Sequence, residues 1–477
     1  MNRLTRQIIG QTIVYIDRGQ EYRYNDIIDL VNKWHAVFDQ FGLSPGDRIA
    51  VFDTQSVEHV SLIIAGGERG LQYFALPKEV FVSSEEKFDY NNLNIKVVFV
   101  RPSNFKTYNP AEGFGGVGLE DRCYWKIRQF NMSTLHEYSP NSGIKFENKP
   151  NDVVLLSQTS GTTGRPKEFA HTHSSLMTAS LLSAKLFYKN NDTVLLYTTF
   201  NHVGVISTQL VPAMIAGAKI IGHYDFSGES VMEKLFRYRP NKTIIFPSNL
   251  YQMMRLPQWE NIKLDFLEEV ICGGQLINKE FVTELFAKGV SKVHNIYGSS
   301  EALPPVLFST VTTDNVESCY NSLNSVALGL PAGDWKVKII DRVLCVYGPG
   351  LASADWISER FIDGYYSTGD RATFENNVYW TSGRADRMVR RHDVLVNASA
   401  TERELESKPG IREAIYYITP EDQLIIGLKF SLHLSQIEQD KLVAHVRNTL
   451  RPDRIYKLKA KNNFESIKAL SAFGDEL

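Results

Sequence analysis

The densest chemistry in this chain sits in one run, Leu155-Leu156-Ser157-Gln158-Thr159-Ser160-Gly161-Thr162-Thr163-Gly164-Arg165-Pro166-Lys167. Glycines such as Gly161 and Gly164 let a backbone fold close around an anion, so that amide N–H groups and the hydroxyls of Thr159, Ser160, Thr162 and Thr163 can donate to phosphate oxygens. Arg165 and Lys167 add positive charge. An ordinary solvated turn has the same composition, and the run alone does not separate the two. A Walker loop is excluded, because Lys167 is set apart from Gly164 by Arg165 and Pro166 and is followed by Glu168.

Two later clusters add the rest of a nucleotide site. Gly273-Gly274-Gln275-Leu276 offers bare backbone against which a base can lie, and Asn295-Ile296-Tyr297-Gly298-Ser299-Ser300-Glu301 offers an amide, an aromatic face, hydroxyls and a carboxylate. Separately these are a plain turn, a core aromatic and a solvated charge. Arranged in this order behind the phosphate loop, they point jointly to a nucleotide.

The surrounding pattern shows how they would be positioned. Apolar residues at 153–156 predict a buried strand feeding the first loop. Downstream, strand patterns at 195–197, 219–221, 243–246, 270–272 and 293–296 alternate with helical ones at 231–238 and 279–286, which predicts a largely parallel, doubly wound sheet. In such sheets ligands lie outside the carboxyl ends of strands, where all three clusters fall. Upstream, Ile27, Leu30, Val31, Trp34, Val37, Phe38 and Phe41 have helical spacing with Gly42 as a stop. A turn at 44–48 then leads to a strand at 49–52, and a second helix-then-strand follows at 62–67 and 73–76. Residues 101–150 show no clear period and are expected to be irregular. From Val306 shorter runs at 336–340 and 344–347 predict a β-rich subdomain, and near Gly383 a domain change is expected. A β run at 424–430 and an amphipathic helix at 437–450 complete a small α+β unit.

Composition narrows the class. In 477 residues, hydrophobics at 43% and charged residues at 22% describe a globular chain with room for two or three domains. The 52 basic against 54 acidic residues leave no basic surface for nucleic acid or for a membrane, so small-molecule chemistry is expected. Cys123, Cys272, Cys319 and Cys345 lack the spacing of a zinc site or disulfide framework. No apolar run reaches membrane-spanning length, and the N-terminal stretch is too short and polar for a signal peptide, so a cytoplasmic location is expected.

The run from Thr159 to Lys167 resembles the phosphate-binding signature of the adenylate-forming superfamily, which comprises acyl-CoA and aryl-CoA synthetases, adenylation domains of peptide synthetases and luciferase-like enzymes. Gly46-Asp47-Arg48-Ile49-Ala50-Val51 is similar to that family's "GDRVAV" strand. The resemblance implies an α/β fold: a large N-terminal domain of doubly wound sheets with a β-rich subdomain, residues 1–384, and a small mobile α+β C-terminal lid, residues 385–477. It also implies ATP and Mg²⁺ as cofactors and a small carboxylic acid as substrate. Gly273, Gly274 and Gln275 match the adenine-contacting strand end, Asn295 and Tyr297 the adenine edge and stacking face, Ser300 beside Gly298 and Ser299 the usual threonine at the α-phosphate, and Glu301 the magnesium ligand. Asp370, in Thr368-Gly369-Asp370, matches the ribose-binding aspartate; Arg384 and Asp386 match the "GRxD" element at ribose or phosphate and at the hinge.

His202, in Phe200-Asn201-His202-Val203-Gly204, matches loosely the histidine near the acyl carboxylate. Asn201 stands where peptide-synthetase domains carry an aspartate for an amino group, which implies an acyl or aryl acid rather than an α-amino acid. Three departures stand out. Glu168 replaces the glycine that follows the lysine, Asp393 replaces a glycine on the pantetheine path, and Phe464 falls where the lid's adenylating lysine belongs, leaving Lys468, or else Lys461, to supply that cation. The expected activity is an ATP-dependent acid–thiol ligase that passes the acyl group to coenzyme A or a phosphopantetheinyl carrier protein. The alternatives are a catalytically impaired nucleotide-binding paralogue acting as sensor or scaffold, and an adenylation enzyme with a non-thiol acceptor. A dehydrogenase is disfavoured by the absence of Gly-x-Gly-x-x-Gly after a strand.

Overall fold

The computed structural model describes residues 13–75, 94–101, 128–140, 149–159, 167–197, 199–200, 202–223, 227–245, 250, 253–254, 256–274, 277–321, 325–385, 388–391, 394–408, 410–418, 423–430, 434–458 and 473–477. A hairpin, β1 (Ile13–Asp17) and β2 (Gln20–Arg23), leads into α1 (Tyr24–Phe41). The helical spacing read from the sequence buries Ile27, Val31, Trp34, Val37 and Phe38 on one face. Gly42 ends the helix with φ +63°, a left-handed cap whose N–H bonds back to Asp39 and Phe38 carbonyls. Trp34 is fully buried against Phe99 and Phe130, with ring centroids at 5.3 and 5.5 Å, and its indole N–H donates to the Glu58 carbonyl at 3.0 Å.

The first sheet has six strands: β3 (Arg48–Phe52), β4 (Gln72–Ala75), β5 (Ile95–Val100), β6 (Arg128–Asn131), β7 (Val153–Thr159) and β8 (Lys167–Thr172), in the order β6-β5-β3-β4-β7-β8. All neighbours are parallel except β7 and β8. α2 (Val57–Arg69) joins β3 to β4, capped by the Ser56 hydroxyl. β6 and the 3-10 turn Met132–Glu137 correct the expectation of irregular structure at 101–150. A strand of four residues with one large apolar side chain, Phe130, has too little pattern to show in sequence.

After α3 (His173–Phe187) comes the second sheet: β9 (Thr193–Leu195), β10 (Lys219–Ile221), β11 (Lys242–Ile244), β12 (Glu269–Gly273), β13 (Lys292–Tyr297), β14 (Leu307–Val311) and β15 (Leu330–Pro331). With the N-terminal hairpin it forms nine strands in the order β15-β14-β13-β12-β11-β9-β10-β1-β2, parallel from β13 to β1. α4 (Gly228–Tyr238) and α5 (Lys279–Ala287) are the expected crossover helices. The hairpin β1–β2 thus joins the second sheet through β10, a long-range pairing that no local pattern encodes.

A five-stranded antiparallel sheet follows, from β16 (Lys336–Ile340), β17 (Val343–Tyr347), β18 (Phe361–Ile362), β19 (Tyr365–Glu375) and β20 (Val378–Arg384), as the texture after Val306 predicts. Trp335, Leu344 and Tyr366 pack with Val306 and Leu307 at the second sheet and with Phe169 of β8 in the first. Beyond the antiparallel sheet lie a two-stranded ribbon, β21 (Met388–Arg391) and β22 (Val394–Asn397), and then a separate core. There α6 (Ala398–Ser407), β23 (Ile411–Ile418), β24 (Leu424–Phe430), α7 (Gln436–Leu450), β25 (Arg454–Leu458) and β26 (Phe473–Glu476) assemble a four-stranded sheet around Leu405, Ile426, Leu428, Val446 and Ile455.

Candidate nucleotide site

The run of hydroxyls and glycines closes a hairpin: β7 and β8 are antiparallel, with Thr159 opposite Lys167 at its mouth. Ser160, Gly161, Thr162, Thr163, Gly164, Arg165 and Pro166 lie outside the described residues. Glu168 stands next along β8. Its carboxylate is held by Arg48 at 3.0 Å and is 11% exposed. Burial raises its carboxyl above the usual range, against the pull of the guanidinium.

The second cluster begins where β12 ends. A Cβ on Gly273 would lie 2.7 Å from both Cγ1 and the carbonyl oxygen of Ile296, so the close approach of β12 to β13 itself requires glycine. Gly274 has φ +73° and turns the chain off the sheet. Gln275 lies outside the described residues. In β13, Asn295 is buried and donates from its side chain to the Ala327 carbonyl at 3.0 Å.

Tyr297 ends β13 and reaches the antiparallel sheet, donating its hydroxyl to Asp370 Oδ2 at 2.5 Å. Burial first, and then the Asp370 charge, push this phenol well above its ordinary range, so it remains a donor. Asp370 in β19 stands directly opposite Arg384 in β20. Arg384 Nη1 lies 3.9 Å from Asp370 Oδ1 and donates to the Thr368 carbonyl at 2.8 Å. Gly369 between them has φ +80°, and a Cβ there would meet the Arg384 guanidinium at 2.9–3.1 Å. Strand register, a glycine and a phenol from another sheet therefore converge on one carboxylate.

The turn after β13 is pinned on all sides. A Cβ on Gly298 would collide with Pro304 at 2.6 Å. Ser299 Oγ accepts the N–H groups of Glu301 and Ala302 at 3.3 and 3.2 Å, and the Glu301 carbonyl accepts from Ala352 N–H at 2.8 Å. His171 of β8, fully buried, donates from Nε2 to the Ser300 carbonyl at 2.6 Å. Burial lowers its pKa to about 4, so it is a neutral donor that ties the hairpin to this turn. Nothing in its sequence neighbourhood signals that role. The Glu301 carboxylate, 13% exposed, lies beside Arg360 and the Tyr366 hydroxyl, two residues sequence reasoning did not select.

The profile of the family described as "AMP-binding enzyme" matches residues 6–353. The chain belongs to the AMP-binding enzyme family. Indoleacetate–CoA ligase of Aromatoleum aromaticum is 27% identical over 278 residues, covering 55% of this chain and 54% of that protein. Medium/long-chain-fatty-acid–CoA ligase FadD8 of Mycobacterium tuberculosis is 23% identical, covering 74% of this chain and 65% of that protein. The chain thus spans less than two thirds of either relative. Among solved structures, o-succinylbenzoate CoA synthetase (MenE) from Bacillus subtilis, in complex with ATP and magnesium ion, superposes with a TM-score of 0.77 at 17% identity, covering 97% of this chain and 96% of that one. That likeness agrees with the α/β fold of doubly wound sheets with a β-rich subdomain expected from sequence.

In this member of the family, Gly273 and Asn295 lie on the paired strands β12 and β13, Tyr297 at the end of β13 bonds Asp370 opposite Arg384, and Ser299, Ser300 and Glu301 follow directly in the turn after β13. His202 is exposed, at the start of the helical run 203–216. That run carries a π-helical turn at Ile206–Leu210, a feature frequent at functional sites. A Cβ on Gly204 would lie 3.6 Å from Pro304, which places the His202 turn beside the 298–304 loop. Asp386, Asp393, Lys461, Phe464 and Lys468 lie outside the described residues. Among the described residues no group of three or more His, Cys, Asp or Glu converges as a metal cage. A hard dication that keeps several waters needs only one fixed protein carboxylate, and Glu301, with its backbone pinned, fits that need. Among the described residues no helix is long and apolar enough to cross a membrane.

Proposed function

We propose that the protein is an ATP-dependent carboxylic acid ligase. It joins a small acyl or aryl carboxylate to AMP with loss of pyrophosphate, then transfers the acyl group to the thiol of coenzyme A or a phosphopantetheinyl carrier protein. The observation that carries this reading is the Tyr297–Asp370–Arg384 cluster beside the pinned Ser299–Glu301 turn, a preset acceptor for a diol next to a preset carboxylate. The acids named for the relatives, indoleacetate and medium- or long-chain fatty acids, agree with it.

In the first half-reaction a carboxylate oxygen of the acid attacks the α-phosphorus of ATP, and the bond to the pyrophosphate oxygen breaks. Asp370 accepts from the ribose hydroxyls, held in place by Tyr297 and Arg384. Gly273, Gly274, Gln275, Asn295 and the Tyr297 ring border the base. Thr159, Ser160, Gly161, Thr162, Thr163, Gly164 and Lys167 hold the phosphates, with Gly298, Ser299 and Ser300 at the α-phosphate and His202 at the acid's carboxylate. Bound to Glu301, Mg²⁺ would supply positive charge to the phosphate oxygens. Lys468 on the lid, residues 385–477, is assigned the last cation; residues 1–384 form the adenylating core. Such catalysis is positioning plus fixed charge. In the second half-reaction the thiol sulfur attacks the acyl carbon, and AMP leaves with the oxygen.

Glu168 does not oppose this reading. A carboxylate beside the phosphate loop would repel ATP, but the charge of this one is met by Arg48 of β3 at 3.0 Å. The test is carboxylate-dependent exchange of labelled pyrophosphate into ATP, run across aryl, short-chain and fatty acids. Exchange with at least one acid is expected. Tight ATP binding without exchange for any acid would refute the ligase and leave the nucleotide-binding paralogue.

A further inference from the structure

Glu301 already has a cation at its side. Arg360, in the 3-10 turn Ser358–Arg360, places Nη1 3.7 Å from Glu301 Oε1 and donates from the same nitrogen to the Tyr366 hydroxyl at 3.0 Å. Tyr366 is fully buried and packs edge-on against Phe361 at 6.2 Å, so the phenol is a fixed tether. The Glu301 backbone is pinned by Ser299 and Ala352. Arg360, by contrast, is 40% exposed, and its contact with Glu301 is longer than a hydrogen bond. The Glu301 backbone is fixed, and the guanidinium meets its carboxylate through charge alone.

We propose that Arg360 is the resident counter-ion of Glu301 and competes with the divalent cation for that carboxylate, so that entry of the metal–nucleotide complex displaces it. This rests on the reading of Glu301 as the metal-holding carboxylate. A largely buried carboxylate is costly to leave bare, and the guanidinium supplies the missing charge while the site is empty of metal. Two cations crowded on one carboxylate repel each other, so the same proximity weakens its hold on any second cation. Arg360 therefore sets the metal concentration at which the site fills.

The probe is Mn²⁺ with α,β-methylene-ATP, with free Mn²⁺ followed by electron paramagnetic resonance. Arg360→Met and Arg360→Gln are expected to lower the apparent Kd for Mn²⁺ by about tenfold, or about 1.4 kcal/mol. Arg360→Gln keeps a donor for Tyr366 without the charge. Arg360→Lys, which keeps the charge, should stay close to wild type. Damage to the fold would weaken metal binding, so tightening is a sign that a merely structural role does not give. Unchanged or weaker binding in both neutral variants would overturn the proposal. If wild type and Glu301→Gln bind Mn²⁺ alike, it is the assignment of Glu301 that fails.

Discussion

Replacing Asp370 by alanine removes the group on which Tyr297 and Arg384 converge, and its consequences separate into two measurable parts. In the free protein the Tyr297 hydroxyl loses its acceptor at 2.5 Å. A buried donor left without a partner costs about 1 to 3 kcal/mol, so the unfolding free energy should fall by that amount. In the complex, two ribose hydroxyls lose a charged acceptor. Hydrogen bonds to charged groups contribute about 1.5 to 3 kcal/mol each, and water recovers part of the loss at a site where Asp370 is 20% exposed. A net loss of about 2 to 3 kcal/mol, or about 30- to 150-fold in ATP affinity, is expected. Because ribose contacts are made in ground and transition states alike, KM for ATP should rise more than kcat falls. Tyr297→Phe separates the parts, since it removes the donor but leaves the carboxylate to the ribose. Calorimetric titration with ATP and pyrophosphate exchange read both. An ATP affinity within about twofold of wild type in Asp370→Ala, or a defect confined to kcat, would refute the assignment.

Three other perturbations test the pairs seen in the structure and the lid amine assigned above. Glu269, at the amino end of β12, accepts from Lys242 at 2.9 Å and lies 3.3 Å from His294. The hydrogen bond to His294, and then the Lys242 contacts, hold its carboxyl well below the usual carboxylate range against the opposing effect of burial. A depressed folded pKa gives stability that is present above the ordinary value of 4.5 and is lost as pH falls below it. Glu269→Gln should therefore cost about 3 kcal/mol at neutral pH and flatten the acid limb of a denaturation-versus-pH curve; an unaltered acid limb would count against this carboxylate. Arg48→Met should destabilise by about 2 to 4 kcal/mol by stranding the buried Glu168, and the double variant with Glu168→Gln should recover most of it; strictly additive losses would mean the pair does not interact. Lys468→Ala should cut pyrophosphate exchange by about 10²-fold while ATP binding persists, and a wild-type rate in both Lys468→Ala and Lys461→Ala would remove the lid amine from the scheme.

Much of the fold was legible because its parts carry short-range signals. The helix ending at Gly42, the strands beginning at Lys219 and Lys336, and the strand and helix around Leu424 and Ile437 obey periodicities that burial enforces within one element. What the sequence hid is non-local. β1 pairs with β10 across the whole first sheet, and the register is set by contacts between residues some two hundred positions apart in the chain. β6 was hidden for the opposite reason: its few residues show no period, and Phe130 joins the core through rings such as Trp34 and Phe99, which α1 and β5 supply.

The candidate site divides along the same line. Its motif residues are readable because they are clustered in loops, yet several owe their identity to packing as much as to a ligand. Gly273 makes room for Ile296, Gly298 for Pro304 and Gly369 for Arg384, so a sequence match at these positions reports backbone geometry first. The residues that set the site's electrostatics come from elsewhere in the chain. Arg48 neutralises Glu168 from β3, His171 fixes Ser300 from β8, and Arg360 stands at Glu301 from a turn before β19. Each acts on a motif residue that it does not adjoin in sequence, through charge or a single hydrogen bond, and no spacing rule could select it. A departure from the family pattern such as Glu168 therefore cannot be weighed as loss of function until its distant partner is known, and here that partner turns a repulsive charge beside the phosphate loop into a tie across the sheet.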